Sequence, residues 1–109
     1  MSQLNDLLHT LKKFRDERDW EQFHNPKDLA LAINVEAGEL LELYLWKNSG
    51  EESKEKVKEE LADIFAFALL LADKYGFDIE AIVQEKIKTN AEKYPVEKAR
   101  GTAKKYNEL

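Results

Sequence analysis

Apolar residues recur at intervals of three and four along most of this chain, the spacing of helices that bury one side. Leu4, Leu7, Leu8, Leu11 and Phe14 define a first helix, capped by Ser2 and running to about Asp19. Trp20 to Asn25 reads as a connector, and Asn25-Pro26 as an N-cap followed by proline at the first helical position. A second helix runs to about Lys47, where Asn48-Ser49-Gly50 stops it. The third starts near Glu51 or Glu52 and closes at Tyr75-Gly76. Asp78 caps a fourth, which reaches about Tyr94 ahead of Pro95. Residues 96–109 are polar and basic and carry no assignable period. Four helices with short connections predict an all-α four-helix bundle forming one domain.

Helices two and three hold more apolar surface than one stripe requires. Leu31, Leu41 and Leu45 lie opposite Leu40, and the run IFAFALLLA is apolar nearly all round. A lone bundle of 109 residues has no interior for both sides of two helices. A homo-oligomer, dimer or tetramer, with helices two and three at the subunit interface is therefore expected; an unusually greasy monomer is the alternative.

The acids break the pattern. At about 100° per residue, Leu29, Ile33, Leu40 and Leu43 form one stripe of helix two, with Glu36 near its centre and Glu39 toward one edge. On helix three the expected inward stripe is Val57, Leu61, Ile64, Ala68 and Tyr75; Glu60 falls inside it and Asp63 at its margin, with Phe67 between them in direction. A buried carboxylate is costly unless paired, protonated or bound to a metal. Two i, i+3 acid pairs on neighbouring helices would repel one another unless cations intervene, and Mg²⁺ suits a site built from carboxylate oxygens and substrate phosphates. Pairing of these acids with lysines such as Lys86 is the bland alternative. Helix four adds Asn90 within the stripe Ile79, Val83, Ile87 and Tyr94, and Lys86 at its edge. Both have the chemistry to bind phosphate oxygens, or to serve as a satisfied core amide and a snorkelling ammonium.

Composition narrows the chemistry. Without cysteine there are no disulfides, thiolate metal sites or cysteine nucleophiles. A net charge of −5 argues against a nucleic-acid surface and is compatible with collecting divalent cations. No stretch has the length of a membrane span and no signal-peptide pattern opens the chain, so a cytoplasmic protein without a membrane partner is expected.

Glu36-x-x-Glu39 followed by Glu60-x-x-Asp63 resembles the signature of the all-α nucleoside triphosphate pyrophosphohydrolases of the MazG type. The segments RDWEQFHNPKDLALAINVEAGELLELYLW and EELADIF, the set Lys86, Asn90, Lys93, Tyr94 and Pro95, and the ending ARGTAKKYNEL are similar to the dCTP pyrophosphatase branch of that superfamily. The resemblance implies a four-helix fold, Mg²⁺ dependence and hydrolysis of a dNTP to dNMP and pyrophosphate. It implies Glu36, Glu39, Glu60 and Asp63 as the catalytic metal ligands. It places nucleotide contacts on Trp20, Gln22, Phe23, His24 and Trp46, with Phe67, Lys86, Asn90, Lys93 and Tyr94 as further binding residues. Leu11 and Phe67 stand where animal members carry a histidine and a tyrosine that touch substrate, which removes two polar contacts from base selection. Lys93 replaces a common arginine. Members of the branch form tetramers from packed dimers, in keeping with the surplus apolar faces.

In that scheme a water attacks the α-phosphorus and pyrophosphate leaves, with Glu39, off-centre on its helix, as the candidate base. Each tryptophan taken alone is more often a core or interface residue than a ligand wall. A di-iron carboxylate bundle needs Glu-x-x-His on two helices. Here Glu21-x-x-His24 is a single copy and precedes Pro26. A non-enzymatic helical module that binds nucleotides or proteins is the remaining rival, and it gives no reason to keep four acids on apolar faces.

Overall fold

A computed structural model describes residues 2–109, which divide into two compact units: one ends at Phe77 and the other spans Asp78–Leu109. Among the described residues the regular structure is helical throughout.

The first unit holds three helices, α1 (Gln3–Glu17), α2 (Pro26–Glu42) and α3 (Lys54–Lys74), with a 3-10 turn over Glu21–Phe23. Ser2 caps α1 by accepting from the Asn5 N–H at 3.1 Å. The helix ends because Asp19 turns left-handed, at φ 54°. The Trp20 and Asp19 N–H groups then fold back onto the carbonyls of Arg15 and Asp16, at 3.1 Å each. This Schellman closure leaves Trp20 immediately beyond the helix. Asn25 caps α2 with its side chain and Pro26 opens it, as the sequence predicts.

Two boundaries differ from expectation. Helix α2 stops at Glu42 rather than Lys47. Leu43, Tyr44 and Leu45 donate to carbonyls only three residues back, and Trp46 sits left-handed at φ 62°, which no right-handed helix passes through. Helix α3 begins at Lys54, after Ser53, whose hydroxyl accepts from the Lys56 N–H. A capping side chain fixes the start more firmly than the glutamates before it.

Helix α3 is the centre of the unit, packed against both α2 and α1. Its deepest residues are Leu69, Leu70 and Ala72, and Leu29 of α2 is 1% exposed. The α2 stripe behaves as expected: Leu29 is buried, and Ile33, Glu36, Leu40 and Leu43 are half-buried. The α3 stripe does not. Leu61 and Tyr75, expected inward, are exposed. A helix that is apolar nearly all round offers no unique inward face, so α1 and α2 decide the register. Leu31, Val35, Leu41, Leu45 and Phe65 remain exposed.

The second unit holds α4 (Ile79–Lys93), capped by the Asp78 carboxylate, and two elements the periodicity did not assign: α5 (Val96–Ala99) and a 3-10 turn over Tyr106–Glu108. Within it Tyr94 and Tyr106 meet edge to face at 6.2 Å. No helix among the described residues is long and apolar enough to cross a membrane.

Candidate active site

Three of the four anomalous acids converge. Ligand oxygens of Glu36, Glu60 and Asp63 lie within 4.8 Å of one another. Glu36 rises from the middle of the α2 stripe and Glu60 from the facing turn of α3, with Asp63 one turn later. Glu39 is exposed on α2 and stands outside this group of three.

The electrostatics of the cluster are unfinished. One carboxylate oxygen on Glu36 and one on Glu60 are buried without a hydrogen-bond partner. Ionised carboxylates are acceptors only, so the two can bond to each other only when one holds a proton. That shared proton, followed by burial and by the neighbouring charges of Glu39 and Asp63, pushes Glu36 up to about 7. Basic residues do not relieve it: the ion pairs among the described residues go to Asp16, Glu21 and Asp73. Oxygen-only donors, two of them orphaned and one carboxyl forced to keep its proton, fit a hard divalent cation, whose charge would replace that proton.

Beside the acids lies a cavity of about 370 Å³, lined by Leu11, Phe14, Arg15, Trp20, His24, Asp63, Ala66, Phe67 and Leu70. Asp63 therefore belongs to both the acid cluster and the cavity. Trp20 meets Phe14 edge to face at 5.7 Å, and His24 meets Phe67 likewise at 6.4 Å. Leu11 and Phe67, the two positions where the resemblance implies a lost polar contact, are both in this wall. The His24 Nδ1 is buried without a partner. Burial first, and then the positive charges of Arg15 and Lys74, hold its imidazole below the usual range.

Gln22, Phe23 and Trp46 of the same unit lie outside this lining. Gln22 spends its amide N–H groups on the carbonyl and carboxylate of Asp19, at 2.9 and 3.0 Å, bracing the turn after α1. Phe23 is exposed and outside the cavity lining, and Trp46 is 100% exposed. In the second unit Lys86 and Asn90 lie with Ile82, Val83 and Ile87 along a shallow groove on α4. The Lys93 ammonium lies 5.0 Å from the Tyr106 ring centroid.

Sequence reasoning missed Arg15, which is only 4% exposed. Its Nε donates to the Asp16 carboxylate at 2.8 Å, which raises the guanidinium, and its Nη2 is 3.7 Å from Glu21. Glu21 in turn meets Lys74 of α3 at 3.4 Å. The signal was present: Leu4, Leu8, Leu11 and Arg15 follow i, i+4, i+7, i+11, so Arg15 occupies the apolar stripe of α1 just as Glu36 occupies that of α2.

Residues 31–109 match the MazG-like family. Over 114 aligned residues the chain is 40% identical to dCTP pyrophosphatase 1 of Rattus norvegicus and 38% identical to that of Homo sapiens, covering 97% of this chain and 67% of each relative. Among solved structures it is similar to a pyrophosphatase from Archaeoglobus fulgidus, at 36% identity and a TM-score of 0.81, with 87% of this chain and 94% of that one covered. Matches of this extent, in sequence and in backbone, are shared descent rather than a recurrence of glutamate-rich helices: the chain belongs to the MazG-like family.

Proposed function

We infer that this chain is a nucleoside triphosphate pyrophosphohydrolase. It cleaves a dNTP, most readily dCTP or a related or modified pyrimidine nucleotide, to dNMP and pyrophosphate, and so cleans the nucleotide pool of the cytoplasm. The whole chain serves as one MazG-like domain. The observation that carries this reading is Asp63, a single carboxylate shared by an uncompensated acid cluster and a mostly apolar cavity. A triphosphate ester has those two ends, a polyanion that needs cations and a base that needs walls.

Glu36, Glu60 and Asp63 would hold Mg²⁺, with Glu39 completing the set from one turn along α2. Bound there, the ion supplies charge neutralisation for the triphosphate and polarises its α-phosphate. The protein's own groups do the rest. Trp20, Phe14 and Phe67 wall the base and exclude water from it, and His24 offers the cavity an uncharged imidazole. Gln22 acts indirectly by holding the turn that presents Trp20. The attacking water gives a proton to Glu39, the candidate base, and bonds to the α-phosphorus while the bond to the bridging oxygen breaks, and pyrophosphate leaves. The family resemblance also assigns nucleotide contacts to Lys86, Asn90, Lys93 and Tyr94 of the second unit. Trp46 has no part in its own chain's cavity, so its contact with nucleotide would be made across a subunit interface. The exposed Leu31, Val35, Leu41, Leu45 and Phe65 provide that interface in a dimer or tetramer.

Incubation of the protein with Mg²⁺ and each of the common dNTPs, with monophosphate and pyrophosphate resolved by chromatography, tests the reading. Release of both products, lost on chelation, is expected. Intact triphosphates after prolonged incubation with the whole panel would rule it out.

A further inference from the structure

We propose that the buried guanidinium of Arg15 reads the base, donating two N–H bonds to the adjacent O2 and N3 acceptors of a cytosine. The inference rests on the cavity's being the nucleotide site. The cavity is largely apolar, and its polar groups are Arg15, His24, Asp63 and the indole N–H of Trp20, a single donor where the Arg15 fork offers several. Asp63 belongs to the acid end. The aromatic walls accept any flat ring, since stacking is tolerant of base identity. Leu11 and Phe67 add no hydrogen bond of their own. Choice of base therefore falls to Arg15 and His24.

Arg15 is suited to a neutral partner. A guanidinium carries five N–H donors and no acceptor. Among the described residues its side chain makes one hydrogen bond, from Nε to Asp16, and Glu21 at 3.7 Å lies beyond hydrogen-bonding reach of Nη2 while still balancing charge. With two carboxylates beside it, Arg15 does not need a phosphate. What its fork lacks is acceptors, and a fork pairs best with two of them side by side. Among the pyrimidines cytosine has that edge. Uracil and thymine carry N3–H there, which would face the guanidinium donor to donor. A neutral imidazole has one acceptor nitrogen, so His24 in the same wall can take the 4-amino group. Rejection of a base that leaves buried donors unpaired is a strong form of selectivity.

The test uses the full chain with Mg²⁺ and titration calorimetry. The ligands are the non-hydrolysable α,β-imido analogues of dCTP and dUTP, and an abasic dideoxyribose triphosphate. The wild type should bind the cytosine analogue on the order of 10- to 100-fold more tightly than the uracil analogue. In Arg15→Lys, which keeps the charge but loses the fork, and in Arg15→Met, that ratio should fall to about twofold or less. Affinity for the abasic triphosphate should stay unchanged. A wild type without preference for cytosine overturns the proposal, as does a ratio that survives Arg15→Lys. Parallel weakening of all three ligands also overturns it, because that marks a structural role. If Arg15→Met does not fold, the wild-type ratio and the Arg15→Lys ratio decide. Pyrophosphate release from dCTP is followed separately: its absence, with the binding ratio behaving as stated, removes the enzymatic reading and leaves the base reading standing.

Discussion

Charges sit on apolar helix faces at two places in this protein, and the two are settled in different ways. Arg15 of α1 is 4% exposed, but it brings its own counter-charges, Asp16 at 2.8 Å and Glu21 at 3.7 Å. Glu36 of α2 and Glu60 of α3 are less deeply placed, yet each has an oxygen with no partner, and their neighbours are more carboxylates. A balanced charge is part of the fold and offers only its spare hydrogen bonds. An unbalanced one has either to keep a proton, as Glu36 does, or to take an ion that the polypeptide does not supply. The contrast separates the two ends of the site by the kind of ligand each accepts, with Asp63 between them.

The largest effect should come from the unbalanced end. Glu36→Gln or Asp63→Asn should lower Mg²⁺-dependent pyrophosphate release on the order of a thousandfold or more, because a charge-stabilising group is lost where phosphate charge develops. Circular dichroism should show unchanged helical content. Undiminished turnover in either variant would mean that the acids do not serve the reaction.

Next in size is a pH effect with a defined sign. Glu36 titrates near 4.5 when unfolded and at about 7 in the folded chain. Between those values the folded state keeps a proton that the unfolded state has lost, so stability of the metal-free protein falls as pH rises through that window and levels off above it. Because Glu36 is half-buried, the drop in melting temperature should be modest, on the order of 5 °C. Adding Mg²⁺ at pH 7.5 should restore it, since an ion that binds only the folded state stabilises it. Glu36→Gln should flatten the profile. A metal-free melting temperature that climbs between pH 5 and 7 would contradict the orphaned-acid picture.

Much of this was legible in the sequence, for one reason. A charge on an apolar stripe is visible without coordinates, and Glu36, Glu60 and Asp63, which such stripes single out, are the acids that converge. Arg15 obeys the same rule, one turn past Leu11, but the apolar residues that make the α1 stripe visible end at Phe14. Where the pattern was ambiguous, so was the reading. The α3 run IFAFALLLA has no polar face to orient it, so its periodicity points Leu61 and Tyr75 inward although both are exposed. Helix ends depended on single residues: the left-handed Trp46 cut α2 short, and Ser53 delayed α3. Residues 96–109 form elements of three and four residues, too short for any period to register. The cavity itself was not legible at all, because it is made where α1, the 3-10 turn and α3 meet.

Smaller still is the effect of the missed cap. Ser53→Ala should cost about 0.5 to 1 kcal/mol of stability, the lower part of the usual range, because the Ser53 hydroxyl accepts at a long 3.4 Å. Denaturant unfolding measures it directly. A loss above about 2 kcal/mol would mean that Ser53 does more than cap α3.

The finest test lies in the balanced end. Glu21 and Lys74 form one exposed ion pair, so breaking it should change stability by less than about 1 kcal/mol. Their effects on His24 should nevertheless be opposite. The Glu21 carboxylate favours the charged imidazole and the Lys74 ammonium disfavours it. Glu21→Gln should therefore lower the pH at which His24 titrates, and Lys74→Met should raise it, as followed by the imidazole proton shifts in NMR. Two partners of one bridge moving the same ring in opposite directions is a result that general loosening of the turn cannot produce. Loosening would expose His24 and raise its titration in both variants, and that outcome would show that the bridge acts by holding the turn and not through its charges.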